Sequence, residues 1–131
     1  MIYELTENKK VVYGVELTQI RLKEDHPIYG KKGTLGGWIE KESNLQDNAW
    51  VYGNARVLKG QFEQSPIQIQ GTKHFINEDG DGFVSIGCKS FHISEWLENF
   101  EEIGKSKGYS EKQIKEYYYH LKHIELLINN R

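Results

Sequence analysis

The 131-residue chain has a single cysteine, which excludes an intramolecular disulfide framework and a thiolate zinc cluster. It has no long apolar run, so no membrane-spanning helix is expected. Its opening MIYELTENKK lacks the apolar core of a signal peptide. Neither charge is in excess: 17 Lys and Arg stand against 19 Asp and Glu, a net charge of −2. A DNA-binding protein built on a general phosphate field is thereby disfavoured. G-x-S-x-G, the P-loop and G-x-G-x-x-G are all missing, so no familiar nucleophile elbow or phosphate loop is present. What remains has the length of one domain, with 37% hydrophobic and 27% charged residues, a balance suited to a soluble folded protein.

The first 60 residues read as short strands and turns. Ile2-Tyr3-Glu4-Leu5, Val11-Val12-Tyr13 and Val15 to Ile20 are β-branched and aromatic runs, and polar Thr6 to Lys10 separates the first two. A turn-rich stretch follows, His26 to Gly33. Then Ile39, Leu45, Val51 and Val57 recur every six residues, with Ala49 and Ala55, Asn48 and Asn54 in the same frame. A period of six fits neither a helix nor strict alternation. It predicts a short β-helix-like coil of hexapeptides, each placing an aliphatic residue inward and a small residue at the corner; two hairpins sharing a spacing are the alternative. Four hexapeptides make little more than one coil, whose open edges need cover. The N-terminal strands, the second half of the chain or another copy could supply it, which points to a homo-oligomer.

Residues 61–131 read differently. Strands are expected at Ile67 to Gln70, Lys73 to Ile76 and Phe83 to Ile86, with Asn77 to Gly82 as a turn. A helix is expected from an N-cap at Ser94 to a stop at Gly104, burying Trp96, Leu97, Phe100 and Ile103. A second begins with a Ser110/Gln113 capping box, staples Tyr109 to Ile114, and buries Ile114, Tyr117, Leu121, Ile124 and Ile128. The expected class is α+β: a hexapeptide coil with N-terminal strands (1–60), then a β-hairpin and two helices (61–131), the halves sharing one core. Charge divides unevenly, 9 basic and 8 acidic side chains in the first half against 8 and 11 in the second.

The chemistry-bearing residues are few. Asn77-x-Asp79-x-Asp81-Gly82 resembles the start of an EF-hand loop, but the position of the bidentate Glu is Cys88, and a hairpin turn explains the residues without metal. The five histidines show no H-E-x-x-H spacing, and Cys88 has no Cys-His-Asn series around it. No metal and no cofactor are expected. The 8 Tyr and 3 Trp are more informative, because both residue types pair stacking area with a polar handle. Trp50 and Arg56 are equivalent in successive hexapeptides, so an exposed pair could stack a base; the alternative is that both pack against the C-terminal half. In Gly71-Thr72-Lys73-His74, a turn with amides, a hydroxyl, an ammonium and an imidazole could cradle a phosphate, or be a plain polar turn. The expected ligand-binding residues are therefore Trp50, Arg56, Lys73 and His74.

Gly36-Gly37-Trp38-Ile39-Glu40, followed by Asn48-Ala49-Trp50-Val51-Tyr52-Gly53-Asn54-Ala55-Arg56-Val57, resembles a family of hexapeptide-repeat β-helix proteins, polymer-forming or acyltransferase-like. From Ser65-Pro66-Ile67-Gln68-Ile69-Gln70-Gly71 through Ile86-Gly87-Cys88 to Trp96-Leu97-Glu98-Asn99-Phe100, the chain resembles small phage and prophage proteins. The resemblance implies a phage accessory protein working in the cytoplasm of a bacterial host. An acyltransferase is disfavoured, because no His lies within residues 27–73 and the coil is too short for a pantetheine arm. The expected role is non-enzymatic counter-defence: an oligomer that sequesters a host signalling nucleotide or similar phosphate-bearing ligand. An anti-CRISPR-like inhibitor that binds a host immune protein, a structural assembly module and a minimal enzyme are the other readings.

Overall fold

The computed structural model describes residues 1–130, and among these the chain is mixed α+β: two four-stranded sheets and two C-terminal helices. In the first sheet, β1 (Tyr3–Val12) and β2 (Val15–Leu22) form an antiparallel hairpin. Tyr13 and Gly14, both at positive φ (52° and 75°), make its two-residue turn, the geometry that matches the twist of the flanking strands. The polar run Thr6 to Lys10 is therefore part of one long strand. It lies at the sheet edge with mostly exposed side chains, and a register shift between Leu5 and Lys9 accommodates it. β2 pairs antiparallel with β3 (Leu35–Ile39), and β3 pairs in parallel with β4 (Arg56–Val57).

All four residues of the six-residue period, Ile39, Leu45, Val51 and Val57, are fully buried, as are Ala49 and Ala55. Inward placement is as the period demands. Regular strand is confined to β3 and β4, however. Between them run a 3-10 turn, Glu42–Asn44, and a series of bends. Ile39 pairs with Val57, eighteen residues on, and Leu45 bridges in parallel to Phe62. The segment closes over the sheet, and its apolar residues join Tyr3, Ile20, Leu22 and Trp50 in one core cluster.

The second sheet is an antiparallel meander of β5 (Gln68–Gln70), β6 (Phe75–Gly80), β7 (Phe83–Ile86) and β8 (Lys89–His92). The expected turn at Asn77 to Gly82 shrinks to Asp81-Gly82, because Asn77 to Gly80 continue β6. Helices α1 (Ile93–Ser106) and α2 (Glu111–Asn129) cover one face, burying Trp96, Phe100, Tyr117, Leu121 and Ile124 against Ile76, Val84 and Ile86. Trp96 Nε1 donates to Val84 O at 2.7 Å, so the ring is buried with its polar atom satisfied. The capping box of α2 is formed by Ser110 and Gln113, as the sequence predicts. The cap of α1 is instead His92, whose Nδ1 accepts from Ser94 N. That helix passes Gly104 and stops two residues later, before Gly108 at φ 75°.

The seam between the sheets is polar and uses side chains as surrogate strand. Asn77 Oδ1 accepts from Arg56 N at 3.3 Å, and its Nδ2 donates to Arg56 O at 2.6 Å. Asp79 Oδ1 accepts from Leu58 N at 2.5 Å, and its backbone O from Lys59 N at 3.2 Å. The open edge of β4 is thus capped by β6. Ser85 and Ser90 also donate to Asp79, yet its complete burial outweighs these bonds and raises its pKa above the ordinary carboxylate range. A folded-state pKa above the unfolded value means a contribution that is full below the unfolded pKa and lost as pH rises through the folded one. The Asp79→Asn variant should therefore gain stability relative to the parent as pH climbs through and beyond the ordinary carboxylate range near about 4. Urea unfolding across that range measures it, and a gain on acidification instead would refute the dominance of burial.

Candidate ligand cleft at the seam

One wall of the seam opens into a cleft of about 370 Å³, within the size range of small-ligand sites. Lys10 comes from the end of β1, Arg56 from β4, and Lys73 and His74 from the turn before β6. Asn54, Gln70 and Asn77 contribute amides, and Cys88 closes one side. Among the described residues, no carboxylate lines it.

Arg56 is the centre of this arrangement. It is only 7% exposed, and its Nε and Nη2 are buried without a hydrogen-bond partner among the described residues. Its guanidinium stands over the Tyr13 ring, 5.5 Å from the centroid. The nearby carboxylate of Asp79 attracts it, but the oxygens of Asp79 are turned to Leu58 N, Ser85 and Ser90. Asn77 pins the Arg56 backbone from both sides. Buried donors are almost always paired, so these two nitrogens stand out among the polar atoms of the cleft. Lys10 lies close enough to feel it: burial first, and the Arg56 charge second, pull the Lys10 pKa down. The Lys10 ammonium rests over Trp38, 4.3 Å from the ring centroid.

Lys73 and His74 line the cleft, and the backbone of their turn is held by helix α2. Tyr117, fully buried in α2, accepts from Lys73 N at 2.8 Å and His74 N at 2.6 Å and donates to His74 O at 3.0 Å. Glu116 accepts from Thr72 N and Thr72 Oγ1. Burial raises the Glu116 pKa, but the bonds from Thr72 and His120 outweigh it and the net shift is downward. The amides of Thr72, Lys73 and His74 are thus spent on helix α2, beside an anionic carboxylate, and that of Gly71 on His74 O. The turn is not a phosphate cradle. The Lys73 ammonium donates to Lys107 O and Gly108 O. The His74 ring stacks on Tyr109, with Nδ1 2.6 Å from the phenol oxygen. Burial, then Lys73 and Lys107, lower the His74 pKa, so it enters the site at neutral pH as an uncharged imidazole.

Trp50 is not in the cleft. It is 2% exposed, belongs to the first core cluster and stacks on Tyr29 at 5.9 Å between centroids. A Cβ at Gly36 would lie 2.6 Å from its ring, which shows how closely the backbone covers it. Strand alternation does not aim this side chain, because Trp50 lies outside regular strand. Burial of the large ring decides its place, and the expected exposed stacking platform is corrected accordingly. The structure brings Arg56, Lys73 and His74 together and adds Lys10, Asn77 and Cys88. Lys10 gave no signal because it sits in a polar run, and Asn77 was hidden within an apparent turn.

Among the described residues, no group of three His, Cys, Asp or Glu side chains is placed to hold a metal, and no helix is long and apolar enough to cross a membrane. No family model, curated protein or solved structure matches the chain.

Proposed function

We propose that the protein is a non-enzymatic binder that sequesters a nucleotide or similar phosphate-bearing ligand in the seam cleft. The observation that carries this is Arg56: a guanidinium with two unpartnered nitrogens, buried in a cleft that Lys10 and Lys73 also line. A guanidinium fork matches the oxygens of a phosphate, and partial desolvation strengthens each charge-assisted bond. His74 and the amides of Asn54 and Gln70 add neutral hydrogen-bonding groups around the anion. Residues 39–62 are read as a single coil turn, supported by the eighteen-residue parallel pairing of Ile39 with Val57, and Arg56 then stands at that coil's edge. In the setting that the sequence resemblance implies, a phage protein acting in the bacterial cytoplasm, the ligand is a signalling nucleotide of host defence.

Isothermal titration against nucleoside monophosphates, cyclic dinucleotides, ribose 5-phosphate and inorganic phosphate tests this reading. A phosphate-dependent heat is expected, weakening as salt rises because the contacts are ionic. The same ligand raises the melting temperature by mass action. No heat from any of these compounds overturns the proposal. The proposal includes self-association. β1 is an edge strand with Leu5 and Val11 exposed, and unpaired edges invite pairing with another chain. A monomer mass in light scattering at micromolar concentration removes that part and leaves the cleft intact.

A further inference from the structure

The cleft holds a group that phosphate binding leaves unused. Cys88, the one cysteine of the chain, is exposed and lines the same cleft as Lys10, Arg56 and Lys73. Free cysteine is among the most buried residue types, so an exposed one beside three cations calls for a reason. Turn chemistry supplies none. Gly87 and Cys88 make the two-residue connection between β7 and β8, since Ile86 pairs with Lys89. Gly87, at φ 56°, suits the first turn position. The second position asks nothing of sulfur.

The thiol has a fixed place. Gly87 N donates to Phe75 O at 3.1 Å, and a Cβ on Gly87 would lie 2.9 Å from the His74 ring, so the turn rests on the cleft wall. Burial raises the Tyr13 pKa; the Arg56 charge lowers it and a charge on Cys88 raises it. Thiol and guanidinium therefore lie within electrostatic reach of one phenol. Arg56 is only 7% exposed, and its Nε and Nη2 have no partner among the described residues. Lys89 adds a fourth cation, next to Cys88 in sequence, and no carboxylate among the described residues lines the cleft. Reactive cysteines occupy such electropositive, solvent-accessible places.

We propose that Cys88 is a modification site, which exchanges with the disulfide of a small carboxylate-bearing thiol and so closes the cleft. The inference rests on the reading of the cleft as an anion site: the cations that would hold a phosphate draw the reagent in. The Cys88 thiolate, its proton lost to solvent, attacks one sulfur of the small disulfide. A bond forms from Cys88 Sγ to that sulfur, the original S–S bond breaks, and the second thiol leaves with the electron pair. The small disulfide is the oxidant. The chain has no second cysteine to resolve the adduct, so it persists until an external thiol removes it. Its carboxylates stand where a phosphate would, which makes the modification a reversible block on ligand capture.

The test compares two aryl disulfides on the full chain, dianionic dithiobis(nitrobenzoate) and uncharged dithiodipyridine. The ratio of their rate constants is measured in the folded protein and in the same chain unfolded in urea, where Lys89 alone of these cations stays beside the thiol. Charge-lined clefts raise on-rates by about 10- to 1000-fold, so at low salt the folded ratio should exceed the unfolded one by about tenfold or more. The excess should shrink as salt rises, and in Lys10→Gln and Lys73→Gln. Equal ratios in the two states, or an excess that salt leaves untouched, overturn the assignment. Protein carrying the nitrobenzoate adduct should lose the heat of phosphate binding, and dithiothreitol should restore it; undiminished heat overturns the block. A rate excess in a protein that binds no phosphate leaves Cys88 as the exchange site and overturns the phosphate reading. Phosphate binding with equal ratios does the reverse.

Discussion

Arg56→Met is expected to make the free protein more stable and to abolish the proposed phosphate binding. The methionine keeps the apolar stem of the side chain and removes a buried cation whose Nε and Nη2 have no partner. Burying a cation with unsatisfied donors is costly, and replacing buried ionic groups by apolar ones of similar volume is often neutral or stabilising by about 1–4 kcal/mol. A gain of about 1 kcal/mol would raise the melting temperature by about 3–5 °C at this chain length. Ligand binding moves the other way. Two charge-assisted hydrogen bonds, each about 1.5–3 kcal/mol, correspond to a loss of about 100-fold or more in affinity. The opposite signs are what distinguish a prepared binding site from a structural arginine. If the melting temperature falls instead, Arg56 is already satisfied in the free protein and its role is internal. Differential scanning calorimetry of both proteins, with and without ligand, reads both effects.

Gly80→Ala should be the most destabilising single-methyl change at the seam. Gly80 has φ 111°, and a Cβ there would lie 2.1 Å from Lys59 O and 2.4 Å from Lys59 C. Both are backbone atoms, so no side chain can swing aside. Gly60 faces it with φ 68°, and a Cβ on Gly60 would stand 3.0 Å from the Gly80 Cα. The sheets therefore approach backbone to backbone, and a methyl group must push them apart. The loss should be at least about 3 kcal/mol, combining strained backbone with a forced opening of the seam. Gly14→Ala is the control: its φ is 75° with nothing within 4 Å, so only the left-handed backbone cost of about 1–2 kcal/mol applies. Urea denaturation of both measures the difference. Equal losses would show that the contact at Lys59 relaxes freely.

Much of the fold was legible because local signals agree with burial. The period of Ile39, Leu45, Val51 and Val57 marks four fully buried positions. The capping box at Ser110 and the stripe Tyr117, Leu121 and Ile124 specify α2. Where reading failed, long-range pairing overrode local preference. Thr6 to Lys10 look like a linker, yet an edge strand tolerates polar residues on its solvated side. Asn77, Asp79 and Gly80 have turn chemistry, yet in β6 the first two give their side chains to the backbone of residues 56–58 and the glycine admits Lys59. Arg56 could be singled out from its hexapeptide, and Lys73 and His74 from their turn. What brings them together is the parallel pairing of β4 and the docking of Tyr117 beneath the turn, neither of which has a local signature. Trp50 shows the converse, an aromatic residue whose size drew it into the core.

Strand β6 has a two-sided allegiance. Ile76 serves the helix-covered core, while the side chains of Asn77 and Asp79 serve the neighbouring sheet. Each parity of residue number is thereby assigned to one master. A one-residue insertion within this strand would exchange the roles, sending an amide and a carboxylate toward Leu121 and Tyr117 and an isoleucine to the edge of Arg56. Length changes in this strand are therefore tolerable only in pairs, and the spacing from Asn77 to Asp79 acts as a ruler against which the two halves of the molecule are aligned.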